Sequence, residues 1–129
     1  MNRAWAFIRE RINSFGPAFS GWAYVLRSQQ NAWLHAVASV LAFTLSAWLQ
    51  IGRLEWALII VAVAFVWAAE FLNTALEAVV DLASPDKHPL AKVGKDIGAA
   101  AVQISALNAV VIGLLVLGPP LWARISPLL

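Results

Sequence analysis

The stretch "AEFLNTALEAVVDL" (residues 69–82) decides the fold, because it joins a long apolar run to a series of acidic side chains. The run before it, residues 54–69, contains a single charge, Glu55. Within the stretch four polar side chains follow one another at spacings of 3, 4 and 4: Glu70, Asn73, Glu77 and Asp81. Side chains at these spacings share one face of an α-helix. The sequence therefore predicts a membrane-length helix that carries what we call the acidic stripe.

The composition is that of an integral membrane protein. Of the 129 residues, 61% are hydrophobic and 12% are charged, and the mean hydropathy is +0.75. Soluble domains average about 45–50% apolar and about 25% charged residues. The absence of cysteine rules out a disulfide framework and a thiolate metal site. The net charge of +2 comes without a basic patch on a soluble face, so we expect no nucleic-acid partner.

Three apolar segments are long enough to cross a bilayer: residues 33–51, 54–81 and 97–122. The alternating pattern of a membrane barrel is absent, so helices are expected. Residues 1–30 carry apolar side chains at helical spacing and predict an amphipathic helix, broken at Gly16-Pro17. That helix could lie in the membrane interface or pack on its own bundle. The predicted fold is an all-α membrane protein, with one N-terminal interfacial helix and three transmembrane helices in a single domain, residues 1–129.

The basic residues predict how the chain is oriented in the membrane. With three spans, the N-terminus and the second loop lie on the same side. That side carries most of the positive charge: Arg3, Arg9, Arg11, Arg27, Lys87, Lys92 and Lys95. Arg53 and Arg124 belong to the other side. By the positive-inside rule, we expect a multi-pass protein of the cell (inner) membrane with its N-terminus and active site cytoplasmic.

The acidic stripe is too costly to be kept for packing alone. A charged carboxylate at the bilayer centre costs roughly 2.5–3.5 kcal/mol on insertion scales. The structural alternative is an interhelical salt bridge, in which Lys92 and Lys95 could neutralise Asp81 but could not easily reach Glu70. The stripe therefore indicates a functional site.

A second polar cluster, "SPDKHPLAKVGKDIGAAAV" (residues 84–102), follows the stripe. Lys95-Asp96 is expected to open the third membrane helix. One face of that helix, made of Asp96, Ala99, Ala100 and Gln103, could pack against the acidic stripe. Lysine side chains and His88 could then meet phosphates, while carboxylates hold a divalent cation, as in many Mg²⁺ sites.

Both clusters resemble the small prokaryotic lipid kinases, the diacylglycerol kinase and undecaprenol kinase family. "EFLNTALEAVVD" (70–81) is similar to the family's signature, and "HPLAKVGKDIGAAAV" (88–102) is similar to its second conserved block. The resemblance implies transfer of the γ-phosphoryl group of ATP, with Mg²⁺, to a membrane lipid alcohol such as undecaprenol or diacylglycerol. It also implies a homotrimer whose active sites are shared between subunits.

The resemblance assigns roles to individual residues. Glu70 would take the proton of the lipid hydroxyl, and Glu77 would hold the metal. Many family members carry a second metal-binding glutamate where this chain has Gln29, so Gln29 is a weaker candidate ligand. The implied nucleotide contacts are Asn73, Glu77, Asp86, Lys87, His88, Lys95 and Asp96. The implied lipid contacts are Ser20, Gly21, Trp33, Leu34 and Glu70.

Two other functions fit parts of the sequence. A small proton-coupled transporter also uses a buried glutamate, but the polar residues of the first and third spans are scattered. A non-catalytic membrane assembly subunit could use the stripe and the basic loop for docking. ATP turnover that depends on an added lipid alcohol would separate the kinase from both.

Overall fold

The computed structural model describes residues 3–86 and 88–128, with side chains given for Arg9 and from Phe15 onward. It contains four α-helices: α1 (Arg3–Ser28), α2 (Gln30–Leu49), α3 (Arg53–Ala83) and α4 (Pro89–Ile125). A 3₁₀ turn, Ser126–Leu128, follows α4. No strand occurs in these two ranges, so the predicted all-α fold is confirmed.

Helix α1 is continuous, and the predicted break at Gly16-Pro17 is wrong. A proline inside a helix removes one backbone N–H donor and crowds the preceding turn. In a helix of 26 residues that single loss is tolerated, and the Ser20 hydroxyl donates to the Gly16 carbonyl at 3.1 Å. The apolar stripe expected before residue 15 lies outside the described side chains.

A single extended residue, Gln29, joins α1 to α2. Its φ of −109° and ψ of 115° lie outside the helical region. Its N–H still donates to the Val25 carbonyl at 2.9 Å, and its carbonyl accepts from Ala32 N at 3.3 Å. The two helices therefore meet at a one-residue joint with its backbone groups satisfied.

Helix α4 begins at Pro89, well before the expected start at residue 97. His88 is its N-cap, because the His88 ring Nδ1 accepts from Leu90 N at 3.2 Å. Proline suits the first helical position, where an N–H would have no partner inside the helix. Lys95-Asp96 therefore lies inside α4 instead of opening it, and the helix continues through Pro119 and Pro120 to Ile125.

Three helices are long and apolar enough to cross a membrane: Gln30–Leu49, Arg53–Ala83 and Pro89–Leu128. At 1.5 Å per residue, the 31 residues of α3 extend about 46 Å, more than the apolar core of a bilayer. The principal packing is α3 against α4, and many large apolar side chains face outward, as lipid contact requires. Helix α3 is thus longer than one crossing of the apolar core requires.

Candidate active site

The acidic stripe lies on the packed face of α3, as its spacing predicts. Glu70 is 2% exposed and Asn73 is 8% exposed, whereas Glu77 is half-buried and Asp81 is exposed. The same face continues in the other direction with the buried residues Ile59, Ala62 and Val66. Burial of the polar side chains therefore increases from the helix end toward its middle.

Two amide side chains hold the carboxylate of Glu77. Gln29 Nε2 donates to Glu77 Oε2 at 2.8 Å, and Asn73 Nδ2 donates to Glu77 Oε1 at 3.1 Å. Each carboxylate oxygen thus accepts one hydrogen bond, one from the joint before α2 and one from α3 itself. The structure brings the Gln29 amide directly against the Glu77 carboxylate.

Glu77 and Asn73 carry the side-chain oxygens of the acidic stripe that could bind a metal ion. Asn73 Oδ1 is buried and has no hydrogen-bond partner. Mg²⁺ prefers oxygen ligands and usually takes one or two carboxylates together with substrate phosphates and water. Within residues 3–86 and 88–128, no group of three or more His, Cys, Asp or Glu side chains is clustered to hold a metal. Glu77 is therefore a candidate carboxylate ligand, and substrate phosphates and water would have to supply the other oxygens.

Gly98 makes room for Asn73 where α3 and α4 approach each other. A Cβ atom built on Gly98 would overlap Asn73 Oδ1 and press on Leu76. The buried face of α4 is accordingly Gly98, Val102 and Ser105. The predicted packing face is wrong, because its members are exposed: Asp96, Ala99, Ala100 and Gln103. Because the Asn73 side chain occupies the space beside Gly98, α3 packs against the face of α4 that carries this glycine.

A cleft of about 610 Å³ lies between the end of α3 and the start of α4. Four residues implied as nucleotide contacts line it: Asp86, His88, Lys95 and Asp96. Lys87 lies outside the described residues. Asn73 and Glu77 lie deeper on α3 and are not part of the cleft lining.

Two ion pairs cross or border this cleft. Lys95 Nζ contacts Asp81 Oδ1, as the structural alternative anticipated, whereas Lys92 pairs with Asp96 one turn along α4. Exposed pairs of this kind are worth about 0.2–1 kcal/mol, so a phosphate can displace them at little cost. The cleft therefore presents lysines that an anionic ligand can recruit.

The residues implied as lipid contacts do not meet in one cavity. Gly21 lines a groove of about 560 Å³ between α1 and α3, together with Trp22, Trp67 and Phe71. Leu34 lines a separate cavity of about 330 Å³ among α2, α3 and α4. The remaining three line neither of these spaces: Ser20 and Trp33 are exposed, and Glu70 is buried.

Two residues at the site were not assigned from the sequence. Gly98 accommodates Asn73, and His35 Nε2 lies 3.8 Å from Glu70 Oε2. A signal for His35 was present: it is the one ionisable side chain within residues 33–51, and ionisable groups inside membrane spans are usually functional.

Comparison with known proteins identifies the family. The model of the prokaryotic diacylglycerol kinase family matches residues 16–117. A diacylglycerol kinase of Synechocystis sp. is 36% identical over 119 residues, covering 92% of this chain and 68% of the relative. An undecaprenol kinase of Bacillus subtilis is 33% identical over 117 residues, covering 88% and 95%. A diacylglycerol kinase of Escherichia coli is 35% identical over 95 residues, covering 68% and 78%.

The chain therefore belongs to the prokaryotic diacylglycerol kinase family. It is a lipid kinase of the membrane, with ATP as phosphoryl donor. The transporter and the assembly subunit are not favoured, since neither explains this relationship.

Adding a methyl group at Gly98 tests the close approach of α3 and α4. We expect Gly98→Ala to displace Asn73 and to destabilise the protein by about 1–3 kcal/mol, the usual cost of overpacking. Kinase activity should fall with it, because Asn73 holds Glu77. Thermal unfolding in detergent and lipid-dependent ATP turnover measure the two effects.

Gly94→Ala is the matched control. Gly94 lies one turn earlier on α4, and its added Cβ would meet only Val80 at an ordinary 3.9 Å. Alanine also favours helix over glycine by about 0.5–1 kcal/mol. Equal tolerance of both substitutions would contradict the proposed contact at Gly98.

Proposed function

We propose that this protein phosphorylates a membrane lipid alcohol at the cytoplasmic interface, with Glu70 as the general base. The observation that carries this proposal is the acidic stripe, which runs from the buried Glu70 carboxylate past half-buried Glu77 to a cleft lined by Lys92 and Lys95. From Glu70 to Asp81 the stripe is about 16 Å long at 1.5 Å per residue. That length suits a lipid hydroxyl at one end and a nucleotide at the other.

Glu70 is suited to take a proton from the lipid. It faces the packed interior of the bundle, and the lipid hydroxyl would have to enter there from the membrane. Removal of the hydroxyl proton makes the oxygen a better nucleophile toward the γ-phosphorus of ATP. Phosphoryl transfer depends mainly on positioning and charge neutralisation, so the rest of the site has to orient the phosphates.

Glu77 and Asn73 would hold Mg²⁺, with Gln29 as a third candidate if its amide presents oxygen. When bound, the ion neutralises charge on the phosphates. The donors in the cleft would contact the nucleotide: Asp86, Lys87, His88, Lys95 and Asp96. The charge of Lys95 is the one that we expect to contribute most to phosphate binding.

The lipid would approach from the apolar side, past Ser20, Gly21, Trp33 and Leu34. One relative is named an undecaprenol kinase and the others are named diacylglycerol kinases, at similar identity. We therefore propose a lipid alcohol of one of these two kinds as the substrate. The resemblance to the family also leads us to propose a homotrimer with active sites shared between subunits. The distribution of lysine and arginine supports a cytoplasmic site in the inner membrane.

Replacing the general base should abolish transfer without unfolding the protein. We expect Glu70→Gln, which keeps the size of the side chain, to lower kcat by about 10²-fold or more. ATP affinity should be unchanged, because the nucleotide cleft lies at the other end of the stripe. Labelled-ATP transfer to lipid measures kcat, and Glu55→Gln at the start of α3 is a control for the loss of one carboxylate. Near-normal turnover by Glu70→Gln would remove Glu70 from the mechanism.

The pair of Lys95 and Asp81 separates a nucleotide contact from a purely structural salt bridge. We expect Lys95→Met to weaken ATP binding, because it removes a phosphate contact while keeping the side-chain length. Asp81→Asn frees Lys95 and removes a negative charge, so ATP binding should be kept or strengthened. Titration with ATP measures both. If both variants lose stability and neither changes ATP affinity, Lys95 is a structural residue.

Gln29 is the position where a new charge can reveal the metal. We expect Gln29→Glu to lower the Mg²⁺ concentration needed for half-maximal activity, because a second carboxylate oxygen would face Glu77. Activity titrated against Mg²⁺ is the measurement, with Gln30→Glu, one residue further and exposed, as control. A loss of activity would mean that the two carboxylates repel, and unchanged Mg²⁺ dependence would mean that Gln29 does not face the ion.

A further inference from the structure

His35 on α2 is the ionisable side chain nearest to the carboxylate of Glu70. Its Nε2 is buried, has no hydrogen-bond partner and lies 3.8 Å from Glu70 Oε2. A buried polar nitrogen without a partner is uncommon in folded proteins and calls for an explanation. A shift of about 1 Å would bring the two atoms within hydrogen-bond distance.

Neighbouring hydroxyl groups bond to the backbone carbonyls of His35 and Glu70. Among the described residues, no hydrogen bond involves His35 Nε2 or the Glu70 carboxylate. Ser39 Oγ donates to the His35 carbonyl at 2.7 Å and accepts from Trp67 Nε1 at 3.1 Å, which ties α2 to α3. The neighbouring hydroxyl on α3, that of Thr74, donates to the Glu70 backbone carbonyl at 2.8 Å.

In the described part of the chain, no other charged group lies where it could take the place of His35 or Glu70 in their mutual contact. Helix α3 contributes Glu70 and, two turns along, Glu77. Helix α4 faces His35 across the Leu34 cavity with uncharged side chains, Ala106, Ala109 and Val110. Helix α1 reaches this region through Trp22, which packs on Trp67 with ring centroids 4.7 Å apart.

We propose that His35 is a positioning residue that orients the Glu70 carboxylate and takes from it the proton released in each turnover. This inference rests on the proposed role of Glu70 as general base. A base that is 2% exposed has little direct contact with water, yet it must lose its proton before it can accept another. The side chain of His35 is 15% exposed against 3% for Glu70, so the ring connects the buried acid to a more accessible position.

The proton balance is simple. The lipid O–H bond breaks and a Glu70 O–H bond forms as the lipid oxygen bonds to phosphorus and the bond to ADP breaks. The Glu70 O–H bond then breaks while His35 Nε2–H forms, which gives an imidazolium ion and restores the carboxylate. The imidazolium ion finally gives a proton to water. Histidine suits this exchange because its imidazole ring serves as a proton shuttle in many proteins.

The test uses two variants: His35→Gln, which keeps the packing, and His35→Ala, which added imidazole can rescue. We expect His35→Gln to lower kcat by about 10- to 100-fold with KM for ATP unchanged, since glutamine cannot carry the proton. His35→Ala should be equally slow and should regain activity as imidazole is added, in proportion to the concentration of its neutral form. Ser46→Ala is the control, because it removes another buried polar group of α2 far from the site.

Each outcome decides the question. Wild-type kcat and an unchanged pH–rate profile in His35→Gln would overturn the proposal. Folded but inactive His35→Ala that imidazole does not rescue would overturn it as well, and would leave His35 a packing residue. Slow, rescuable His35→Ala supports it. The Glu70→Gln variant tests the proposed general base separately. If that variant is active, Glu70 is not the general base, whatever the His35 variants show.

Discussion

The contact between Asn73 and Gly98 is the constraint on which the rest of the site depends. Inside an apolar bundle, a polar side chain needs both space and partners. The missing Cβ of Gly98 gives Asn73 the space, and the Glu77 carboxylate gives its amide a partner. The distance between α3 and α4 and the orientation of Glu77 are therefore set by the same side chain.

The gradient of burial along α3 separates two kinds of chemistry on one helix face. Near the helix end, where Asp81 is exposed, charged groups are hydrated and can exchange partners with a soluble nucleotide. Near the middle, Glu70 is enclosed by the bundle. This arrangement suits a lipid kinase, because such an enzyme has to bring a water-soluble donor and a membrane-dissolved acceptor together.

Features that depend on periodicity and hydropathy could be predicted from the sequence, and features that depend on one contact could not. The spans and the shared face of the acidic stripe follow from residue spacing alone. The start of α4 depended on the His88 cap and on proline at the first position, which outweigh the polar composition of that segment. The continuity of α1 through Pro17 and the choice of the glycine face of α4 depended on packing. Spacing within one helix also could not show that His35 meets Glu70, because they lie on different helices.

The one-residue joint at Gln29 has a mechanical consequence. Its backbone sets the angle between α1 and α2, while its side chain holds Glu77. A change in the tilt of α1 would rotate the φ and ψ angles of Gln29. That rotation would also move the Gln29 side-chain amide. If α1 lies along the lipid headgroups, a change in the thickness or curvature of the bilayer would tilt α1 and, through Gln29, move the Glu77 carboxylate. The enzyme would then respond to the physical state of the membrane as well as to the amount of its substrate.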